Sequence, residues 1–157
     1  MPRSISLVSS SYIPAELRRL VVARAEGCCE YCWIHEEDTF FGCEVDHVLS
    51  EKHGGATGAE NLAYACVVCN RRKGSDVGSF VPGSSRFSRF YNPRSDRWAE
   101  HFGFSADGLW IEPLTDVGAV TARIPGFNDL ERQLEREALR QIGRYPPPGV
   151  RERILGP

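Results

Sequence analysis

No stretch of the 157 residues approaches the roughly 18 consecutive apolar residues of a membrane helix. The opening segment, Met1 to Val8, carries one charge and too short an apolar run for a secretory signal, so a cytoplasmic location and no membrane partner are expected. There is no internal repeat. A strong charge imbalance is also missing: the formal net charge is −2, which alone argues against a polyanionic partner. Locally the absences are sharper. From Glu26 to Glu51 there is no Lys or Arg against eight acidic residues. From Asn70 to Arg97 seven basic residues face only Asp76 and Asp96. An acidic block beside a basic block suits a cation site next to a phosphate track, with solvated surface charge as the alternative.

The six cysteines are unevenly distributed. Cys29-Glu-Tyr-Cys32 and Cys66-Val-Val-Cys69 are two knuckles with 33 residues between them. In an intracellular chain such pairs read as a closed tetrahedral zinc site of structural type. Cys28 is an alternative ligand, but Cys29 leaves two residues before Cys32. Cys43 has no partner at ligand spacing and reads as a small buried strand residue.

Between the knuckles lie Asp46-His47, with Asn61 further on and Asn70 directly after Cys69. Hydrolysis of a phosphodiester needs an activated nucleophile and charge stabilisation on the phosphoryl and leaving oxygens. A neutral His47 can act as general base, and Asp46 with the Asn70 amide oxygen suits Mg²⁺ or Mn²⁺. Adjacent strand residues point to opposite faces, so Asp46 and His47 would straddle the phosphate.

The local patterns give an α+β chain. Residues 1–12 are expected to be poorly ordered. A helix is expected over about 14–26, with Leu17, Leu20, Val21 and Ala25 on its buried face. A strand over 40–49, a glycine-rich loop over 50–60, a return strand over 61–65 and a helix from Cys66 to Gly74 follow. Residues 78–88 read as a surface loop. Ser95 would cap a short helix carrying Trp98 and His101. Residues 104–114 read as a hairpin with Asp107-Gly108 at the tip, and Thr115-Asp116 would cap a helix to Arg123. Asn128 with Glu131 resembles a capping box opening a helix to Ile142, buried along Leu130, Leu134, Ala138 and Ile142. Residues from 146 on read as a loose tail.

Arg71, Arg72 and Lys73 follow Asn70 within the first helical turns, where a phosphate must pass. Arg86, Arg89, Arg94 and Arg97 extend that track. Arg132, Arg136 and Arg140 draw a basic stripe opposite the Leu130/Leu134 face, with a solvated face as the alternative. His53 could reach the site from its loop, to contact phosphate or to support the fold.

The segments Glu44-Val-Asp-His47 through Gly55, Glu60-Asn61-Leu62 and Ala65-Cys-Val-Val-Cys-Asn-Arg-Arg-Lys-Gly74 together resemble the HNH endonucleases. That resemblance covers about residues 29–76. It implies a ββα-metal (His-Me finger) core stapled by a four-cysteine zinc site, with an N-terminal helix and a C-terminal hairpin and helix extension. It implies one HNH domain over 1–157, its motif core at about 28–76 and its extension at about 77–157. It further implies single-metal hydrolysis of DNA, with His47 as general base, Asp46 and Asn70 as ligands of the catalytic cation, and Asn61 bonding backbone near His47. Asn70 stands where the name-giving last histidine would be, which favours a hard cation over a softer one. The residues Phe90 to Arg94, Trp98 to Phe102 and 108–121 also resemble a C-terminal extension of bacterial HNH proteins. A homodimer would let one site per chain cut both strands. The rival reading is a zinc-stapled nucleic-acid-binding module without nuclease activity of its own.

Overall fold

The computed structural model describes residues 12–155, so the expectation for the start of the chain lies, Tyr12 apart, outside the described residues. Helix α1 (Ala15–Ala25) starts after Pro14, whose fixed φ suits a helix entry. It stops where Glu26 and Gly27 both take positive φ, 52° and 71°. Val21 and Ala25 are buried against Leu62 and Tyr64, whereas Leu20, expected on that face, points to solvent.

The chain then makes the first cysteine knuckle and enters β1 (Cys43–His47), antiparallel to β2 (Leu62–Cys66). The register sets Cys43 opposite Cys66 and Asp46 opposite Ala63. The strand is shorter than expected. A turn closed by Gly42 (φ 75°) precedes it, and Phe40 and Phe41 project into solvent, ring against ring. All five residues of β2 are buried. Helix α2 (Val67–Lys73) follows at once, its first turn capped by the Cys66 sulfur accepting from the Cys69 N–H at 3.5 Å.

Beyond α2 the extension is built from small elements. Strands β3 (Gly78–Phe80) and β4 (Phe87–Arg89) form a hairpin where the sequence suggested a loop. The edge-on pair Phe80–Phe87, with ring centroids 5.8 Å apart, supports it across the strands. Helix α3 (Trp98–His101) leads into the hairpin of β5 (Phe102–Phe104) and β6 (Ile111–Pro113). At its tip Asp107 accepts from the Leu109 N–H at 3.0 Å. Helix α4 (Asp116–Arg123) is capped by Thr115, as its sequence implies: Oγ1 accepts from the Gly118 N–H at 3.1 Å. Helix α5 (Leu130–Gln141) has Asp129 at its N-cap rather than Asn128. The Asn128 amide instead holds both main-chain groups of Ile111, at 2.9 and 2.8 Å.

The core is largely aromatic. Tyr31, Trp33, Trp98, Phe102, Phe127 and Tyr145 join Ile111, Val150 and the cysteines in one buried cluster. Each fully buried ring contributes about 2–3 kcal/mol by area alone. The expected loose tail is part of this core. Helix α6 (Val150–Leu155) buries Val150 and Ile154, and Arg153 donates to the carbonyls of Ala25 and Arg24, both at 3.0 Å.

The orientation of α5 reverses the expected one. Leu130, Leu134 and Ile142 are 69%, 55% and 68% exposed, while Arg132 and Arg136 are only 5% and 2% exposed. The helix is amphipathic as read, but its guanidinium face is turned inward. No helix of the described residues is long and apolar enough to cross a membrane.

Candidate functional site

The sulfurs of Cys29, Cys32, Cys66 and Cys69 all lie within 4.8 Å of one another, and all four residues are buried. None is in a disulfide. A Zn–S bond of about 2.3 Å puts the edges of a tetrahedron of sulfurs at about 3.8 Å. The Cys32 and Cys66 sulfurs are 3.8 Å apart. The donor set and its spacing therefore fit a zinc ion. Cys28 stands outside this cluster, and burial pushes its thiol up to about 11. Cys43 is half-buried on β1, and burial raises its pKa too.

What faces the sulfurs explains the inverted helix. The Arg132 guanidinium donates to Cys32 Sγ at 3.0 Å and to Cys66 Sγ at 3.5 Å. Burial alone would lower the Arg132 pKa, but the charge of Cys32, Cys69 and Cys66 outweighs it and keeps the cation charged. Zn²⁺ with four thiolates carries a net charge of about −2, so a buried cation beside it meets a real electrostatic need. Arg136 is held by the Leu109 carbonyl at 2.7 Å and the Asn128 amide oxygen at 3.2 Å. Arg132 and Arg136 are therefore interior groups, not a phosphate-facing stripe; of the three, Arg140 alone is exposed.

The first knuckle is gripped residue by residue from the extension. Glu30 pairs with Arg94, the Tyr31 carbonyl accepts from Trp98 Nε1 at 2.9 Å, and the Cys32 carbonyl accepts from Tyr145 OH at 2.7 Å.

The second group of residues surrounds the sheet and α2. Glu44 and Asp46 share one face of β1, two residues apart. Lys73 donates to Asp46 Oδ2 at 2.8 Å and to the His47 carbonyl at 3.1 Å. Burial raises the Asp46 pKa although the Lys73 ammonium opposes it. One turn earlier on α2, Asn70 donates to Glu44 Oε2 at 2.7 Å, and its amide oxygen has no partner among the described residues. Glu44, Asp46 and Asn70 thus bring oxygen atoms, the donor type a hard divalent cation takes, to one side of the sheet, where Asp46 Oδ2 is held by Lys73.

His47 points the other way. Its Nε2 is 2.8 Å from Thr57 Oγ1, and the Thr57 hydroxyl in turn reaches Glu51 Oε1 at 3.4 Å. Asn61 ties this loop down with three hydrogen bonds of 2.9 Å. It accepts from the Leu49 N–H and donates to the carbonyls of Leu49 and Ala56. Gly55 is needed here, because a Cβ would overlap the Leu49 carbonyl oxygen.

The basic track is largely engaged in ion pairs. Arg72 pairs with Asp129, Arg86 with Asp116, Arg89 with Asp96 and Arg94 with Glu30. Lys73, 3% exposed, is an internal partner of Asp46 rather than a surface cation. Arg71, Arg97 and Arg140 are exposed and have no carboxylate within 4.0 Å among the described residues. His53 is exposed in the loop after β1.

Sequence reasoning missed Glu44, Thr57 and the role of Arg132. Glu44 was legible as the residue two before Asp46, on the same face. Thr57 had no signal beyond its place in the loop. No curated protein and no solved structure matches the chain. The family model described as HNH endonuclease matches residues 29–76, under a third of the chain, and that segment holds both cysteine pairs, Asp46, His47, Asn61 and Asn70.

Proposed function

We propose that this chain is a metal-dependent endonuclease that hydrolyses DNA phosphodiester bonds, with His47 as general base and a divalent cation held by Asp46 and Asn70. The observation that carries the reading is the family match over a segment in which an oxygen-donor face and a histidine lie back to back on β1. Two antiparallel strands followed directly by α2 are also the order that a ββα-metal core requires.

When bound, Mg²⁺ or Mn²⁺ supplies positive charge to the phosphoryl oxygens and the leaving alkoxide. The remaining work falls to the chain. With the Thr57 hydroxyl turned toward Glu51, 3.4 Å away, its oxygen would accept from His47 Nε2–H. That tautomer leaves Nδ1 to take the proton of a water. Asn61 holds the loop that carries Thr57 and thereby holds the ring. Lys73 binds the Asp46 carboxylate and the His47 carbonyl, so one ammonium sets the position of both residues. The four-cysteine site with zinc fixes the start of α2, and Cys69 immediately precedes Asn70. Of the expected phosphate contacts, Arg71, Arg97, Arg140 and His53 are both exposed and without a carboxylate partner among the described residues, while Arg72, Arg86 and Arg89 are exposed but paired.

The test is cleavage of supercoiled, linear and single-stranded DNA across Mg²⁺, Mn²⁺, Ni²⁺ and Zn²⁺. Wild type should cut with Mg²⁺ or Mn²⁺, while His47→Ala and Asp46→Ala lose cutting by a factor of about 10² or more. If both variants cut like wild type, the assignment is wrong. DNA binding without turnover under every metal would make the chain a binding module instead.

A further inference from the structure

A hollow of about 270 Å³ lies between the end of α1, helix α3 and helix α6. Arg24, Arg94, Arg97 and Arg153 line it, against Glu30 and Asp96. We propose that this hollow is an anion pocket that takes a phosphate monoester dianion, at a site separate from the nuclease centre.

Charge is the first support. Four guanidinium groups face two carboxylates in the wall, and with the partners outside the lining, Glu26 on Arg153 and Arg89 on Asp96, counted as well the excess is +2. Neither carboxylate is free to serve the hollow. Asp96 is engaged by Arg89, which is outside the lining, at 2.6 and 3.0 Å. One Glu30 oxygen accepts from the Tyr64 N–H at 2.8 Å and the other pairs with Arg94. A phosphate monoester carries a charge of about −1.5 to −2 at pH 7 and three acceptor oxygens, which matches the excess.

Unmet hydrogen bonding is the second support. Arg24 Nε, Arg94 Nε and Arg94 Nη1 are buried without an acceptor among the described residues. Their neighbours are already committed: the other Arg24 nitrogens hold the carbonyls of Ala59 and Leu62, at 2.8 and 2.7 Å. Buried guanidinium N–H groups without acceptors are costly; these nitrogens are closed to water, so an oxyanion in the hollow relieves that cost only as the Arg24 and Arg94 side chains turn toward it. Burial and the charge of Arg94 both lower the Arg24 pKa, the mark of crowded like charges.

The position separates this hollow from Asp46 and His47. Tyr64 pairs across the sheet with Val45 of β1, yet both its main-chain groups turn away to Glu30. Glu30 therefore lies on the edge of β2 opposite β1. An anion in the hollow cannot be the phosphate that Asp46 and His47 would act on, and the proposal stands whether or not the chain is a nuclease.

The experiment is calorimetric titration of the zinc-loaded full-length protein, without other divalent cations. The probes are inorganic phosphate, a deoxynucleoside 5′-monophosphate and the matching nucleoside. The phosphate-bearing probes should saturate one site per chain, and the nucleoside should not bind. Tighter binding of the monophosphate identifies a nucleotide end as the ligand, and equal binding identifies the free anion. Arg97→Gln, at an exposed position that leaves the fold intact, and Arg94→Gln should each weaken binding at least tenfold, while His47→Ala titrates as wild type. The proposal is overturned if neither phosphate probe binds, if both arginine variants bind as wild type, or if His47→Ala abolishes binding.

Discussion

Arg132 and Cys32 are 100 residues apart in sequence, yet the guanidinium of one lies 3.0 Å from the sulfur of the other. The contact joins the zinc-type centre to the extension through a charge that is also met by Cys66 Sγ at 3.5 Å and by Glu135 at 3.6 Å.

Arg132→Met should therefore cost about 3–5 kcal/mol of stability in the zinc-loaded protein, the range for breaking a buried charge pair from one side. Zinc transfer to a competing chelator should become at least tenfold faster. Arg132→Lys, which keeps the charge but not the fork, should recover only part of this. Equal transfer rates for Arg132→Met and wild type would show that the thiolates need no counter-charge.

Lys73→Met strands the Asp46 carboxylate in a buried site. The expected loss at pH 8 is again about 3–5 kcal/mol in urea unfolding. The sign of its pH dependence follows from the direction of the shift. Burial already holds the folded Asp46 pKa above its ordinary 3.8, and loss of the ammonium raises it further. The folded state then binds a proton more readily than the unfolded chain, so this group's contribution is full below 3.8 and is lost as the pH rises through the folded value. The deficit of the variant against wild type should shrink as the pH is lowered from 8 toward 5. A deficit that stays constant would mean that Asp46 is not the group left unpaired.

Glu44→Gln should leave the fold intact, because Glu44 is exposed and touches Asn70 by one hydrogen bond. If the Glu44 carboxylate holds the Asn70 amide for a cation, the Mg²⁺ concentration for half-maximal cleavage should rise about tenfold or more. Unchanged Mg²⁺ dependence would remove Glu44 from the site.

Thr57→Val keeps the shape of the side chain and removes the hydroxyl that His47 Nε2 meets at 2.8 Å. The turnover rate should fall about tenfold or more with little change in KM, because the tautomer and not substrate contact is affected. A change in KM alone would make Thr57 a substrate contact.

The strand–loop–strand–helix order around the cysteines was legible because each element there is marked locally. The knuckles fix two ends, glycines mark the loop, and Gly74 marks the stop. Thr115 as a cap and Asp107-Gly108 as a tip were legible for the same reason. The buried face of α5 was not. Reading a helical wheel assumes an apolar interior, and here the interior beside Arg132 is a set of sulfurs whose charge attracts a cation. Lys73 was misread as a surface residue because its partner, Asp46, is 27 positions away on another element. Helix α6 was hidden behind prolines, and what anchors it, Tyr145 on the Cys32 carbonyl, spans 113 residues. Local signals carried local structure, and the polar partnerships that invert or extend it are all distant in sequence.

The inward arginine of α5 also bears on how the chain is handled before its metal arrives. An apolar helix face would have let the metal-free chain collapse into a passable imitation of the finished protein. Without zinc the buried guanidinium has only the Cys32 and Cys66 sulfurs and Glu135 to face, so the helix that carries it should hold the core less firmly. Leu130 and Leu134 of α5 face outward, so they offer no substitute packing. Unloaded copies should then be conspicuous to proteases, and newly made chains would be sorted by whether they have acquired their metal.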